Sequence, residues 1–149
     1  MDCPLDIVFV LDESGSITTS NFGLMKSFLS RLVGRLDIDS GNTRVGIVAY
    51  SSRVNARIYL NAHSSVAGLQ SAIAALNQTG GSTNTARALA DVRTTMLTAA
   101  AGDRSNVPNV VVVLTDGRSS NTTATQVGGK YISLYLQLHF ATLSCYVTL

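Results

Sequence analysis

Apolar residues follow two different periods along this chain. Ile7 to Leu11 and Val110 to Leu114 are unbroken apolar runs, and Thr43 to Tyr50 (TRVGIVAY) is nearly one. Short continuous runs of this kind belong to strands buried on both faces. Between them, Phe22, Met25, Leu29, Leu32, Val33 and Leu36 recur every three or four positions, the spacing of a helix that covers one face of a sheet. The pattern predicts a strand ending near Asp12, a helix from about Ser20 to Leu36, strands at Thr43 to Tyr50 and Val54 to Leu60, helices at Ser65 to Leu76 and Thr85 to Ala101, and a strand from Asn109 to Thr115. Gly41-Asn42 turns the chain, Gly102 stops the third helix, and Pro108 stands at a strand entrance, where a missing backbone donor does least harm. Only Ser51-Ser52-Arg53 links the second strand to the third, too little chain for a parallel crossover. The expected fold is therefore α/β: a doubly wound, mostly parallel sheet with strand order 3-2-1-4 and one antiparallel edge strand.

The ends of those strands carry the candidate chemistry. Asp12, Ser14 and Ser16 offer three side-chain oxygens at alternate positions where the first strand stops, and Gly15 lets the chain turn. Ligands of open α/β sheets bind at the carboxyl ends of strands. One carboxylate with two neutral hydroxyls suits Mg²⁺, which prefers hard oxygen donors and retains several waters. The bland alternative is a polar turn in which Ser16 or Thr18 caps the next helix. Thr83 falls in GGSTNT, a glycine-hinged loop expected to be exposed, and Asp116 follows the fourth strand in VVVVLTDG. Singly, Thr83 reads as a helix cap and Asp116-Gly117 as a plain turn. In combination, parallel strands would bring Asp12 and Asp116 out at one sheet edge.

Asp12-Glu13-Ser14-Gly15-Ser16, Gly80-Gly81-Ser82-Thr83 and Leu114-Thr115-Asp116-Gly117 resemble the three loops of the metal-ion-dependent adhesion site of von Willebrand factor A domains, the family that includes integrin inserted domains. The likeness covers roughly residues 3 to 125, and CPLDIVFVLDESGSI and TRVGIVAYSS are most similar to extracellular-matrix members such as collagen-associated A domains and matrilins. The resemblance implies a Rossmann-like fold and Mg²⁺ or Mn²⁺ as the bound ion. It implies direct coordination by Ser14 and Ser16, direct or water-mediated coordination by Thr83, and bridging waters to Asp12 and Asp116. The sixth position is then left open for a Glu or Asp of a protein ligand, collagen or another matrix protein among the options, and the domain is secreted and extracellular. Two carboxylates mostly at second-shell distance leave the ion electrophilic toward that incoming acid. A structural matrix-assembly domain using other surfaces is the alternative.

Composition fits one domain. Of 149 residues, 46% are hydrophobic and 13% charged, enough apolar surface for a substantial core. A net charge of +2 with no Lys/Arg run gives no basis for nucleic-acid or membrane-surface binding. The opening MDCPLD has neither a basic nor an apolar leader segment, so no secretory signal is expected in this chain. Asn77-Gln78-Thr79 and Asn121-Thr122-Thr123 are glycosylation acceptor triplets, compatible with secretion.

Enzyme chemistry finds little support. A strand ending in Asp also begins haloacid-dehalogenase-type phosphatases, but Ser14 stands where those need a second acid. Ser16 lacks the G-x-S-x-G elbow, and His63 and His139 are isolated. The phosphate-cradling G-x-x-x-x-G-K-[ST] is absent.

The expected domain occupies residues 1–125, and 126–149 form a divergent apolar tail. Relative to the family, the chain stops about 40 residues short, lacking the usual last strand and helix. Tyr131 to Leu149 contains no Asp, Glu, Lys or Arg, yet its Ser, Gln, His and Thr content argues against a membrane span. Ile132, Leu134, Leu136, Leu138 and Phe140 alternate as a strand with one apolar face would. A fifth strand pair, an alternative-exon or frameshifted end, and a mobile apolar flap remain open for it. Some family members join their termini by a disulfide, which the resemblance extends to Cys3 and Cys145; an unpaired Cys3 bonding elsewhere is the other option. Neither spacing suggests zinc.

Overall fold

The computed structural model of this chain describes residues 4–115 and 135–138. Cys3, Asp116, Asn121 and Cys145 lie outside the described residues, and the expectations resting on them with it. β1 (Leu5–Asp12), β2 (Thr43–Tyr50), β3 (Val54–Ile58), β4 (Asn109–Leu114) and β5 (Tyr135–Leu138) form one sheet in the order β3-β2-β1-β4-β5. β1 is central and runs parallel to both neighbours, with Ile7 opposite Val45 on one side and Val110 on the other. β3 is the expected antiparallel edge, and its register shifts between Ala49 and Tyr50. β5 adds a second antiparallel edge beside β4, with Val113 opposite Tyr135.

The period of two along β1 sorts its side chains into two cores. Ile7, Phe9 and Leu11 pack with Val45 and Ile47 of β2 against the helices of one face, whereas Val8 and Val10 pack with Val48 and Tyr50 on the other. α1 (Thr19–Val33) buries Phe22, Met25, Leu29 and Val33, a single stripe at helical spacing, and is capped by the Thr18 hydroxyl, which accepts from the Asn21 N–H at 3.2 Å. It ends three residues before Leu36, where the backbone tightens and the Leu36 N–H bonds the Val33 carbonyl. α2 (Val66–Ala74), capped by Ser65, lies on the same face and adds Leu69 and Ile73.

The opposite face departs from expectation. In place of one helix from Thr85 to Ala101, α3 (Thr85–Asp91) opens into a π-helical turn at Val92–Met96, and a separate 3₁₀ turn follows at Ala99–Ala101. The break is local: Leu97 leaves the helical region at φ −89°, ψ 61°, and the extended Thr98 uses its hydroxyl to accept from the Ala101 N–H. The wider turn places Ala88, Val92 and Met96 together against the sheet. Gly102 ends the segment at φ 95°, where an added Cβ would lie 2.7 Å from Asn61 N and Cβ.

Arg104 fastens the opposite end of the sheet from the candidate loops. Its side chain donates to the fully buried Asp6 carboxylate and to the carbonyls of Leu5, Gly41 and Asn42, while its N–H donates to Asp6 Oδ2 at 2.9 Å. Among the described residues, no helix is long and apolar enough to cross a membrane.

Candidate metal centre

Asp12 is the last residue of β1 and is fully buried. Its carboxylate is held from two directions: Oδ1 accepts from the Ser14 N–H at 2.9 Å and Oδ2 from the Thr115 hydroxyl at 2.7 Å. The second bond follows from strand register. Leu11 pairs with Leu114 across parallel strands, so the next residues on each, Asp12 and Thr115, leave the sheet side by side.

Beyond Asp12 the chain turns, and the Ser14 and Ser16 hydroxyl oxygens stand 3.1 Å apart. Ser14 is buried and Ser16 exposed, so one oxygen lies at the floor of the loop and the other at its mouth. Thr18, not Ser16, caps α1. The same holds at the second loop, where Asn84 caps α3 by accepting from the Arg87 N–H at 3.1 Å. The capping duties that would have explained Ser16 and Thr83 in bland terms fall to their neighbours.

Thr83 is buried, contrary to the exposed loop expected from its polar, glycine-rich surroundings. Gly80 and Gly81 at φ 70° and 102° turn the segment inward, a conformation that other residues rarely adopt. Two backbone bonds then hold it: the Gly15 N–H donates to the Gly81 carbonyl at 2.8 Å, and the Asn84 N–H to the Ser51 carbonyl at 2.9 Å. A third, from the Glu13 N–H to the Tyr50 carbonyl at 2.8 Å, ties the loop after β1 to the end of β2. The loops bearing Asp12, Ser14, Ser16 and Thr83 are thus joined at one sheet edge. Asp116, the fifth residue expected there, lies outside the described residues.

Sequence reasoning assigned no role to Thr115, Gln78, Glu13, Asn55 or Thr79. Gln78 Nε2 donates to the Ile17 carbonyl at 2.6 Å and the Ser14 carbonyl at 3.3 Å, bracing the donor loop from below. Glu13 is fully buried, and its Oε1 accepts from Thr79 Oγ1 at 2.9 Å and from Asn55 Nδ2, whereas its Oε2 has no partner among the described residues. Only the role of Thr115 had a usable signal, the parallel pairing of its strand with β1. Of the glycosylation candidates, Asn77 is exposed, and the Thr79 of its triplet is engaged with Glu13 and Asn55.

These residues suit a hard divalent cation. The candidate donors Asp12, Ser14, Ser16 and Thr83 offer one carboxylate and three hydroxyls, all hard oxygens. Metal–oxygen distances of about 2.0–2.1 Å put adjacent corners of an octahedron about 2.9 Å apart. The 3.1 Å between Ser14 Oγ and Ser16 Oγ, spanned here by a hydrogen bond between the two hydroxyls, is close to such an edge. The buried acid Asp12, with Glu13 beside it, supplies the negative charge that a cation would balance.

The family model for the von Willebrand factor type A domain matches residues 6–139. Matrilin-3 of Mus musculus is 35% identical over 138 residues, which are 89% of this chain and 29% of that protein. The collagen alpha-4(VI) chain of Mus musculus is 34% identical over 124 residues, 83% of this chain and 5% of the collagen. Among solved structures, proximal thread matrix protein 1 from the mussel byssus, with a zinc-occupied MIDAS motif, superposes with a TM-score of 0.75 at 26% identity over 84% of this chain and 34% of its own. The chain spans under a third of the length of matrilin-3.

Proposed function

Because this chain belongs to the von Willebrand factor type A domain family, we propose that it is a divalent-cation-dependent adhesion module that captures an acidic side chain of a matrix protein. The relatives it matches are matrilins, vitrin and a collagen VI chain, and the domain is not an enzyme. In this reading Ser14 and Ser16 hold Mg²⁺ or Mn²⁺ directly, Thr83 directly or through water, and Asp12 and Asp116 through waters. The bound ion supplies a Lewis-acidic site for a Glu or Asp of the ligand. The protein's part is placement. Thr115 and the Ser14 N–H fix the Asp12 carboxylate, Gln78 braces the serine loop, and the Gly81–Gly15 bond keeps Thr83 beside it.

One observation carries this reading: the paired Ser14 and Ser16 oxygens beside a buried Asp12, with both neighbouring helices capped by other residues. A groove of about 280 Å³ between β3 and α3 is lined in part by Arg53, Arg57, Arg87 and Asp91; Arg57 is paired with Asp91, and Arg53 and Arg87 supply the positive charge suited to an acidic partner. An extracellular location, with collagen or another matrix protein as ligand, accords with the relatives' names. The test is binding to immobilised collagens and other matrix proteins while Mg²⁺ is titrated against EDTA, with Asp12→Ala as control. Binding is expected to need the ion and to be lost in the variant; binding indifferent to both rejects the mechanism.

A second reading, a matrix-assembly domain whose ion only steadies the loops, is favoured by the main-chain hydrogen bonds that already join those loops to one another. Melting that depends on Mg²⁺, together with partner binding that does not, would select it.

A further inference from the structure

We infer that Glu13 is the charge-setting residue of this metal centre: a buried carboxylate that is not itself a ligand, strengthens cation binding, and latches the Asn55 and Thr79 segments to the donor loop. The inference rests on the cation reading above. Glu13 stands between Asp12 and Ser14, and none of its surface reaches solvent. Burying a carboxylate is costly unless other charges or hydrogen bonds compensate it. The two ion pairs among the described residues are Arg57–Asp91 and Arg104–Asp6, so no side-chain cation among them pairs with Glu13. Its hydrogen bonds meet only half its capacity, since Oε1 takes both donors and Oε2 takes none.

The nearest cation in the surrounding cluster, Arg53, stops one residue short: its Nε donates to Asn55 Oδ1 at 3.2 Å and forms no ion pair with Glu13. Asn55 Nδ2 sits among three oxygens, Glu13 Oε1, Ser51 Oγ at 2.9 Å and Thr79 Oγ1 at 2.8 Å, and a neutral amide with two hydrogens stands where a positive group would otherwise be expected. A divalent ion in the adjoining loop would supply the compensation that the unpartnered Oε2 lacks among the described residues. The same contacts reach 42 and 66 residues along the chain, so a signal at the ion reaches β3 and the segment before Thr83 through one side chain.

The test measures Mg²⁺ affinity by calorimetry, and melting in EDTA and in saturating Mg²⁺, for the wild-type chain, Glu13→Gln, Glu13→Asp and Asp12→Ala. Glu13→Gln keeps the shape and removes the charge. It should melt in EDTA at or above the wild-type temperature, gain less from Mg²⁺, and bind the ion roughly 10–100-fold more weakly. Glu13→Asp keeps the charge and loses reach, so it should melt lower than Glu13→Gln in EDTA yet bind Mg²⁺ more tightly. A purely structural role gives the reverse order of affinities and overturns the inference, as does wild-type affinity in Glu13→Gln. If Mg²⁺ fails to bind the wild-type chain, the cation reading falls with it; if Asp12→Ala alone abolishes binding, only the role of Glu13 falls.

Discussion

The Thr115 hydroxyl donates to Asp12 Oδ2 at 2.7 Å, joining the ends of two parallel strands through a buried hydrogen bond to a carboxylate. A bond of this kind contributes about 1.5–3 kcal/mol. Thr115→Val should lower unfolding free energy in urea by about that amount. It should also weaken Mg²⁺ binding by roughly 10–100-fold, because Asp12 loses one of the bonds that orient its carboxylate. Calorimetry on the folded variant separates the two effects.

Two ion pairs of equal length should differ sharply in worth. Arg104–Asp6 and Arg57–Asp91 are both 2.6 Å, but Asp6 is 0% exposed, whereas the Arg57 side chain is 36% exposed. Arg104→Met strands a buried carboxylate and should cost about 3–5 kcal/mol. Arg57→Met should cost at most about 1 kcal/mol. Urea midpoints of the two variants, compared at equal slope, check the contrast.

Gly102→Ala should destabilise the chain by about 1–3 kcal/mol through left-handed strain and overpacking. The new Cβ would meet Asn61 N and Cβ at 2.7 Å, and backbone cannot swing aside as a side-chain tip can. Thermal melting reads the loss, and the metal affinity of the folded fraction should be unchanged.

Acid should weaken the turn before β2. Hydrogen bonds from Ser40, and then Asn42, hold the Asp37 carboxyl below its ordinary range. A lowered native value means that the stabilisation is complete above the unfolded pKa of about 3.9 and is lost as pH falls through the folded one. Asp37→Asn should therefore melt below the wild-type chain at neutral pH, with the gap closing below about pH 4. A gap that stays constant down to pH 2 would exclude this linkage.

The sheet was legible because β1, β2 and β4 carry unbroken or nearly unbroken apolar runs; β2 has the predicted bounds, Thr43–Tyr50. Helix α3 was not, since Leu89, Met96 and Leu97 keep helical spacing past the point where the backbone widens, and the break lies in Leu97 and Thr98 dihedrals that periodicity does not report. At the metal centre, Asp12, Ser14 and Ser16 stood out through their alternation at a strand end. Glu13 did not, because its burial depends on partners far along the chain and not on local pattern. Thr83 looked exposed for the same reason: two positive-φ glycines fold its loop inward, and composition alone reads such a stretch as surface.

Three ties between loops at this sheet edge run from main chain to main chain, Gly15 to Gly81, Glu13 to Tyr50 and Asn84 to Ser51. Amide and carbonyl groups are common to nearly every residue, so outward-facing side chains such as Ser82 can be exchanged while the cradle keeps its shape. Under the proposed function, ligand choice and cation capture are thereby separable traits, and new rims grafted onto this frame would leave the candidate site intact.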